Sequence, residues 1–277
     1  MKKLVSIVLA LTAVFVLSIT AFASELPEAK LFSVSSKDGV SPEEIYSYGI
    51  EKGFNGILLD LRESDSMDFY SDCISAAEGI EYFEFYVLVN ENHMARTLKP
   101  GKHLVFSEGI SEEAIAEYSE VSGSECLSFI VPFGDEKALE TAKYFYGKGY
   151  FKNLFVENLL SCHSEYGYEE YLFEITEDFP KARIVTVNDL GKVLSPSAKG
   201  DFYSDPFEIN NQVLFNKLNG FGFCVSDYSE LVKNIGGKAD FLTAYFDSKI
   251  LEEHANFSYQ KTFNNKTRRF KNQRCNR

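Results

Sequence analysis

Between residues 31 and 225 the chain repeats one pattern: a short apolar run, a polar connection, then a stretch with helical spacing. The apolar runs fall at 31–35, 56–61, 83–89, 103–106, 126–131, 153–156, 183–187 and 221–225. Gly56-Ile57-Leu58-Leu59-Asp60-Leu61 is apolar at successive positions, as a strand covered on both faces must be. The helical stretches carry start signals. In Ser41-Pro42-Glu43-Glu44, Ser41 caps, Pro42 takes the first helical position and Glu44 completes a capping box. Ile45, Tyr48, Gly49 and Lys52 follow at helical spacing. Ser111 precedes a helix over 112–119, Asp135 one over 136–146, and a third covers 166–177. Asp205-Pro206-Phe207-Glu208 opens one leading into 213–218. Alternating strand and helix implies a parallel sheet with right-handed crossovers. Eight such units predict an α/β fold of the closed (β/α)8 TIM-barrel type. An open doubly wound sheet is the alternative, but no GxGxxG follows the first strand. Residues 239–246 read as a further strand outside the eight.

The N-terminus predicts export. Lys2 and Lys3 precede an almost unbroken apolar run from 4 to 19, and Ala21-Phe22-Ala23 supplies the small-x-small pattern of a cleavage site. The run is short for a membrane span of about 20 residues. Residues 1–23 are therefore read as a signal peptide, 24–260 as one barrel domain and 261–277 as a basic, disordered tail. The lysine-led leader and acidic body fit a secreted protein of a Gram-positive bacterium. No other segment approaches transmembrane length, so no integral membrane segment is expected after cleavage.

The charge is uneven. The tail carries seven Lys or Arg and no acid. Without the tail and the two leader lysines, 19 basic residues face 41 acidic ones, a body near −22. Such a body repels nucleic acid and anionic lipid. Five cysteines have no close spacing, which excludes a zinc or CxxC redox motif and a disulfide framework. Cys126 and Cys224 read as buried thiols.

In a barrel of this type, chemistry sits at the C-terminal ends of the strands. The polar residues expected there are Ser35 and Ser36, Asp60 with Arg62 and Glu63, Asn90 with Glu91 and His93, Glu108, Glu157 with Asn158, Asn188 with Asp189, and Asp227. Acids predominate. That suits a divalent cation such as Ca²⁺ or Mg²⁺ on Asp60 and Glu108, or paired carboxylates acting on a glycosidic bond. His93, Glu157 and Asn188 are the catalytic candidates. Asp60-Leu61-Arg62 reads equally as a structural ion pair, and Asp227 as the cap of a helix over 228–234. No GxSxG, HExxH or P-loop pattern occurs.

Several segments together resemble the glycerophosphodiester phosphodiesterase family. They are Pro42-Glu43-Glu44 through Gly53-Phe54-Asn55-Gly56-Ile57-Leu58-Leu59-Asp60-Leu61, Leu127-Ser128-Phe129 with 135–139, Thr186-Val187-Asn188-Asp189, and Phe223-Cys224-Val225-Ser226-Asp227-Tyr228. The resemblance implies a metal-dependent phosphodiester hydrolase on a (β/α)8 barrel, with a small phosphodiester as ligand. It places Asp60 and Glu108 at metal positions and His93 near an acid–base position. The family's His-Arg pair after the first strand is here Ser33-Val34-Ser35-Ser36, and its Glu-x-Asp is Leu58-Leu59-Asp60. Activity is therefore expected to be weak or absent.

The segment from Phe54 to Arg62 also resembles the catalytic strand of chitinases. Arg62 stands where that strand has its acid, and Glu157 or Asp227 would have to substitute. The chain has no Trp to stack on sugars, though 16 Tyr and 25 Phe could replace it. A non-catalytic carbohydrate-binding barrel at the cell surface is the remaining class.

Overall fold

The computed structural model describes residues 28–62, 67–77, 80, 83–89, 103–158, 168–188, 216–217, 219–226, 228–229 and 232. The leader, the basic tail, the strand expected at 239–246 and the helix start at 205–208 lie outside the described residues.

Eight parallel strands close into a barrel in chain order. They are β1 (Lys30–Val34), β2 (Gly56–Asp60), β3 (Glu84–Val89), β4 (His103–Phe106), β5 (Leu127–Pro132), β6 (Asn153–Asn158), β7 (Arg183–Asn188) and β8 (Gly222–Val225). The ring closes where Leu31 of β1 lies opposite Cys224 of β8. Each strand falls within two residues of its expected position. Strand β5 begins after Cys126, because Ser124–Cys126 forms a 3-10 turn that leaves the thiol half-buried. This corrects the reading of Cys126 as a buried strand residue. Cys224 is fully buried, as expected.

The helices between the strands are α1 (Pro42–Glu51), α2 (Met67–Ala77), α3 (Glu112–Ser122), α4 (Glu136–Gly147) and α5 (Tyr168–Asp178). Their starts obey the local signals. Ser41 Oγ accepts from the Glu44 N–H while Glu44 Oε2 accepts from the Ser41 N–H, so the capping box forms. Ser111 and Asp135 cap α3 and α4 in the same way, accepting from the N–H groups of Ala114 and Ala138. None of the described helices is long and apolar enough to cross a membrane.

Alternation along each strand sorts the side chains into two cores. Leu31, Leu58, Tyr86, Leu88, Val105, Ile130, Phe155, Val185, Val187 and Cys224 pack together inside the barrel. Their neighbours, such as Phe32, Ile57, Leu59, Val87, Phe129 and Val156, pack outward against the helices. The outer layer is rich in aromatic rings. Phe32 meets Phe54 at 5.0 Å and Tyr228 at 5.8 Å between centroids, which seals the seam between β1 and β8. With its bore filled by side chains, the barrel leaves function to its ends.

Candidate functional site

The C-terminal mouth is built from strand ends. Asp60 lies two residues beyond Leu58 on β2, and Glu157 two beyond Phe155 on β6. Leu58 and Phe155 belong to the bore, so both carboxylates share its face. In a ring of eight, β2 and β6 are diametrically opposed. Arg62 joins them. Its backbone N–H donates to Asp60 Oδ1 at 3.0 Å, which turns the chain sharply after β2. Its Nε donates to Asp60 Oδ1 and Oδ2 at 3.1 and 3.2 Å, and Nη2 to Oδ2 at 2.8 Å. Across the bore, Nη2 donates to Glu157 Oε1 at 2.9 Å and Nη1 to Oε2 at 3.2 Å. One guanidinium thus bridges two carboxylates, bidentate to Glu157.

Burial works against the charged guanidinium. Hydrogen bonds to Glu157 and Asp60, and then their charges, outweigh it and raise Arg62 above its already high value. Glu157 is the most enclosed member, its side chain 5% exposed against 33% for Arg62 and 29% for Asp60. Burial, reinforced by the charges of Glu157 and Asp60, keeps the Cys224 thiol protonated, so it is no nucleophile. Beside the mouth, Asp38 accepts from the Ser35 N–H at 2.7 Å and from Ser229 Oγ at 2.6 Å. It ties the connection after β1 to the turn after β8.

A second clamp spans the opposite, N-terminal end. Glu84 opens β3 and Arg183 opens β7, again diametrically opposed strands. Arg183 Nη1 donates to Glu84 Oε2 at 2.7 Å and Nη2 to Oε1 at 2.8 Å. Tyr86 Oη accepts from Arg183 Nη1 at 2.8 Å and donates to Glu84 Oε2 at 2.5 Å. His103 packs beside the Tyr86 ring at 5.0 Å, at the N-terminal end as its place at a strand start implies.

Of the candidates, the structure brings together Asp60 and Glu157, with Arg62 between them. Glu108 sits on the turn after β4 and pairs with Lys137 of α4, while Asp60 is engaged by Arg62. Among the described residues, no group of three or more His, Cys, Asp or Glu could hold a metal ion. Asn188 ends β7, at the mouth end as expected, but its side chain is turned away from the bore. Val185 and Val187 face the bore, so Thr186 and Asn188 face the helical layer. There Asn188 Nδ2 and Asn216 Nδ2 donate to Thr186 Oγ1 at 2.9 and 2.7 Å. His93, Glu63, Asn90, Glu91, Asp189 and Asp227 lie outside the described residues.

Sequence reasoning took Asp60 and Arg62 as a local pair and missed that Glu157 completes it. No local signal carries it, because strands buried on both faces do not show which residues point into the bore. The guanidinium thus occupies both carboxylates of the mouth at once.

No family model and no curated protein matches the chain. Solved structures do. The 7,8-dihydropteroate synthase of Vibrio fischeri ES114 matches with a TM-score of 0.55 at 8% identity, covering 84% of this chain and 95% of that one. A Yersinia pestis DHPS bound to a pterine–sulfa conjugate matches with a TM-score of 0.51 at 12% identity, covering 79% and 93%. At these identities the likeness shows the (β/α)8 fold alone. The resemblance to the glycerophosphodiester phosphodiesterases is therefore corrected: no family model carries it, and the similar structures named are dihydropteroate synthases. The physical reason lies in the segments themselves. Runs such as Ile57-Leu58-Leu59 and Thr186-Val187 are what a parallel barrel needs for strands buried on both faces, so they report the fold and not a family.

Proposed function

We propose that the chain is an exported, non-catalytic binding barrel whose rim takes a neutral, hydroxyl-rich ligand of glycan type. The single observation that carries this reading is Arg62, which occupies both carboxylates at the mouth. A glycosidase needs one carboxyl group to donate a proton and a second to attack or to activate water. Here both accept from one guanidinium. The same pairing argues against an anionic ligand, because among the described residues the mouth cluster sums to one positive and two negative charges, and the body around it is near −22. Export rests on the leader and its Ala21-Phe22-Ala23 pattern.

Glycan-array binding of the secreted chain, followed by titration calorimetry on the best binder, tests the reading. Binding without hydrolysis of that glycan supports it. Turnover at ordinary enzyme rates, or no binding to any neutral glycan, overturns it. N-terminal sequencing of the secreted protein should begin at Ser24, and retention of Met1 would remove export.

A further inference from the structure

We propose that Arg62 is a resident cation: an internal counter-ion that keeps the mouth closed to divalent metal, so that removing its charge opens the mouth to a hard cation. This goes beyond the ligand reading above and does not depend on it. Two carboxylates from opposed strands meet the same guanidinium across the bore, and Glu157 is almost wholly enclosed. Such a pair is strongly unfavourable unless a cation compensates it. Among the described residues, Arg62 supplies that cation through five side-chain hydrogen bonds, which together engage every oxygen of both carboxylates. A hard cation needs those same oxygens at about 2.3–2.6 Å. The planar guanidinium fork and a metal ion therefore exclude one another. Arg62 is also tethered two residues from Asp60, and its own N–H holds Asp60 Oδ1.

The test is calcium and manganese titration of the full mature chain by calorimetry. Wild type should show no binding at the mouth at up to about 10 mM, above the usual range for extracellular sites. Arg62→Gln should bind with a Kd of roughly 10⁻⁴–10⁻³ M, and the further change Glu157→Gln should abolish that binding. Arg62→Lys keeps a charge and should stay closed. Three results would overturn the proposal: calcium binding by wild type that Glu157→Gln removes, a folded Arg62→Gln with no binding, or binding by Arg62→Lys equal to that of Arg62→Gln. If Arg62→Gln does not fold alone, refolding with about 10 mM Ca²⁺ becomes the readout. Recovery supports the proposal and failure to recover overturns it. Glycan binding by wild type is read separately, so failure of one idea leaves the other standing.

Discussion

Arg62 and Glu157 stand 95 residues apart in sequence and meet at 2.9 Å, joining the ends of two diametrically opposed strands. Arg183 and Glu84 make the same kind of contact at the other end of the bore, 99 residues apart. The barrel thus has an apolar middle and a guanidinium–carboxylate clamp across each mouth. The lower clamp includes a phenol and one carboxylate, so its charges balance. Among the described residues, the upper clamp sets one guanidinium against two carboxylates.

Replacing Arg62 by Met should destabilise the fold by about 1–3 kcal/mol. Breaking a fully buried pair costs roughly 3–5 kcal/mol, and the partial exposure of Arg62 and Asp60 lowers that. Glu157→Gln should cost less, since Arg62 keeps Asp60. Urea denaturation of the two variants measures the order, and equal costs would count against a shared cation.

At the lower clamp, Tyr86→Phe removes a hydroxyl that both donates to Glu84 and accepts from Arg183. The expected loss is about 1 kcal/mol, the net size of such hydrogen bonding. Arg183→Met leaves Glu84 without its bidentate partner and should cost about 3 kcal/mol. A reversed order in thermal or urea unfolding would show that the phenol, not the ion pair, organises this end.

How much of this was legible varies by element. The strands were readable because they are apolar on both faces, as in Ile57-Leu58-Leu59. That same property hid their parity. Val185 and Thr186 are both fully buried, so sequence alone could not say which points into the bore, nor which way Asn188 turns at the strand end. Helix α2 escaped notice because Ser and Asp crowd its first turns. Its signal was Tyr70, Cys73 and Ile74, all buried at helical spacing. The Asp60–Glu157 meeting depends on how the ring closes, which no local pattern encodes.

Two glycines separate crowding from backbone strain. A Cβ at Gly56 would lie 2.5 Å from the Glu84 carbonyl oxygen and 2.7 Å from Leu31 Cδ2, so β2 and β3 would have to part. Gly56→Ala should cost about 1–3 kcal/mol, as overpacking does. Gly39 has φ of 65° and nothing within 4 Å of its would-be Cβ. Gly39→Ala should cost about 1 kcal/mol from the left-handed conformation alone. A second-site change of Leu31 to Val should partly rescue Gly56→Ala and leave Gly39→Ala unaffected.

Stability should fall in alkali, because several acidic groups are buried in their neutral forms. Burial, reinforced by the charges of Asp72 and Glu43, pushes the Cys73 thiol from 9.0 up to about 12. Burial and then Glu117 and Tyr70 push Tyr118 from 10.0 up to about 12, and burial with Asp135 and Glu174 does the same for Tyr171. Tyr46 lies above its usual range for the same first reason, and its hydroxyl donates to the Cys73 carbonyl at 2.8 Å. In each case the folded state holds a proton that the unfolded chain gives up at lower pH. The contribution is complete below the unfolded value and is lost as pH rises toward the folded one, which sets a window from about pH 9 to about pH 12. Urea midpoints at about pH 7, 9 and 10.5 should be level between the first two and lower at the third. Cys73→Ala should lessen the earliest part of the fall, which the Cys73 thiol shares with the buried thiol of Cys224. In the native state at about pH 8 a thiol reagent should leave Cys73 unmodified. A midpoint that holds steady to about pH 11 would mean that these groups are not buried as the fold requires.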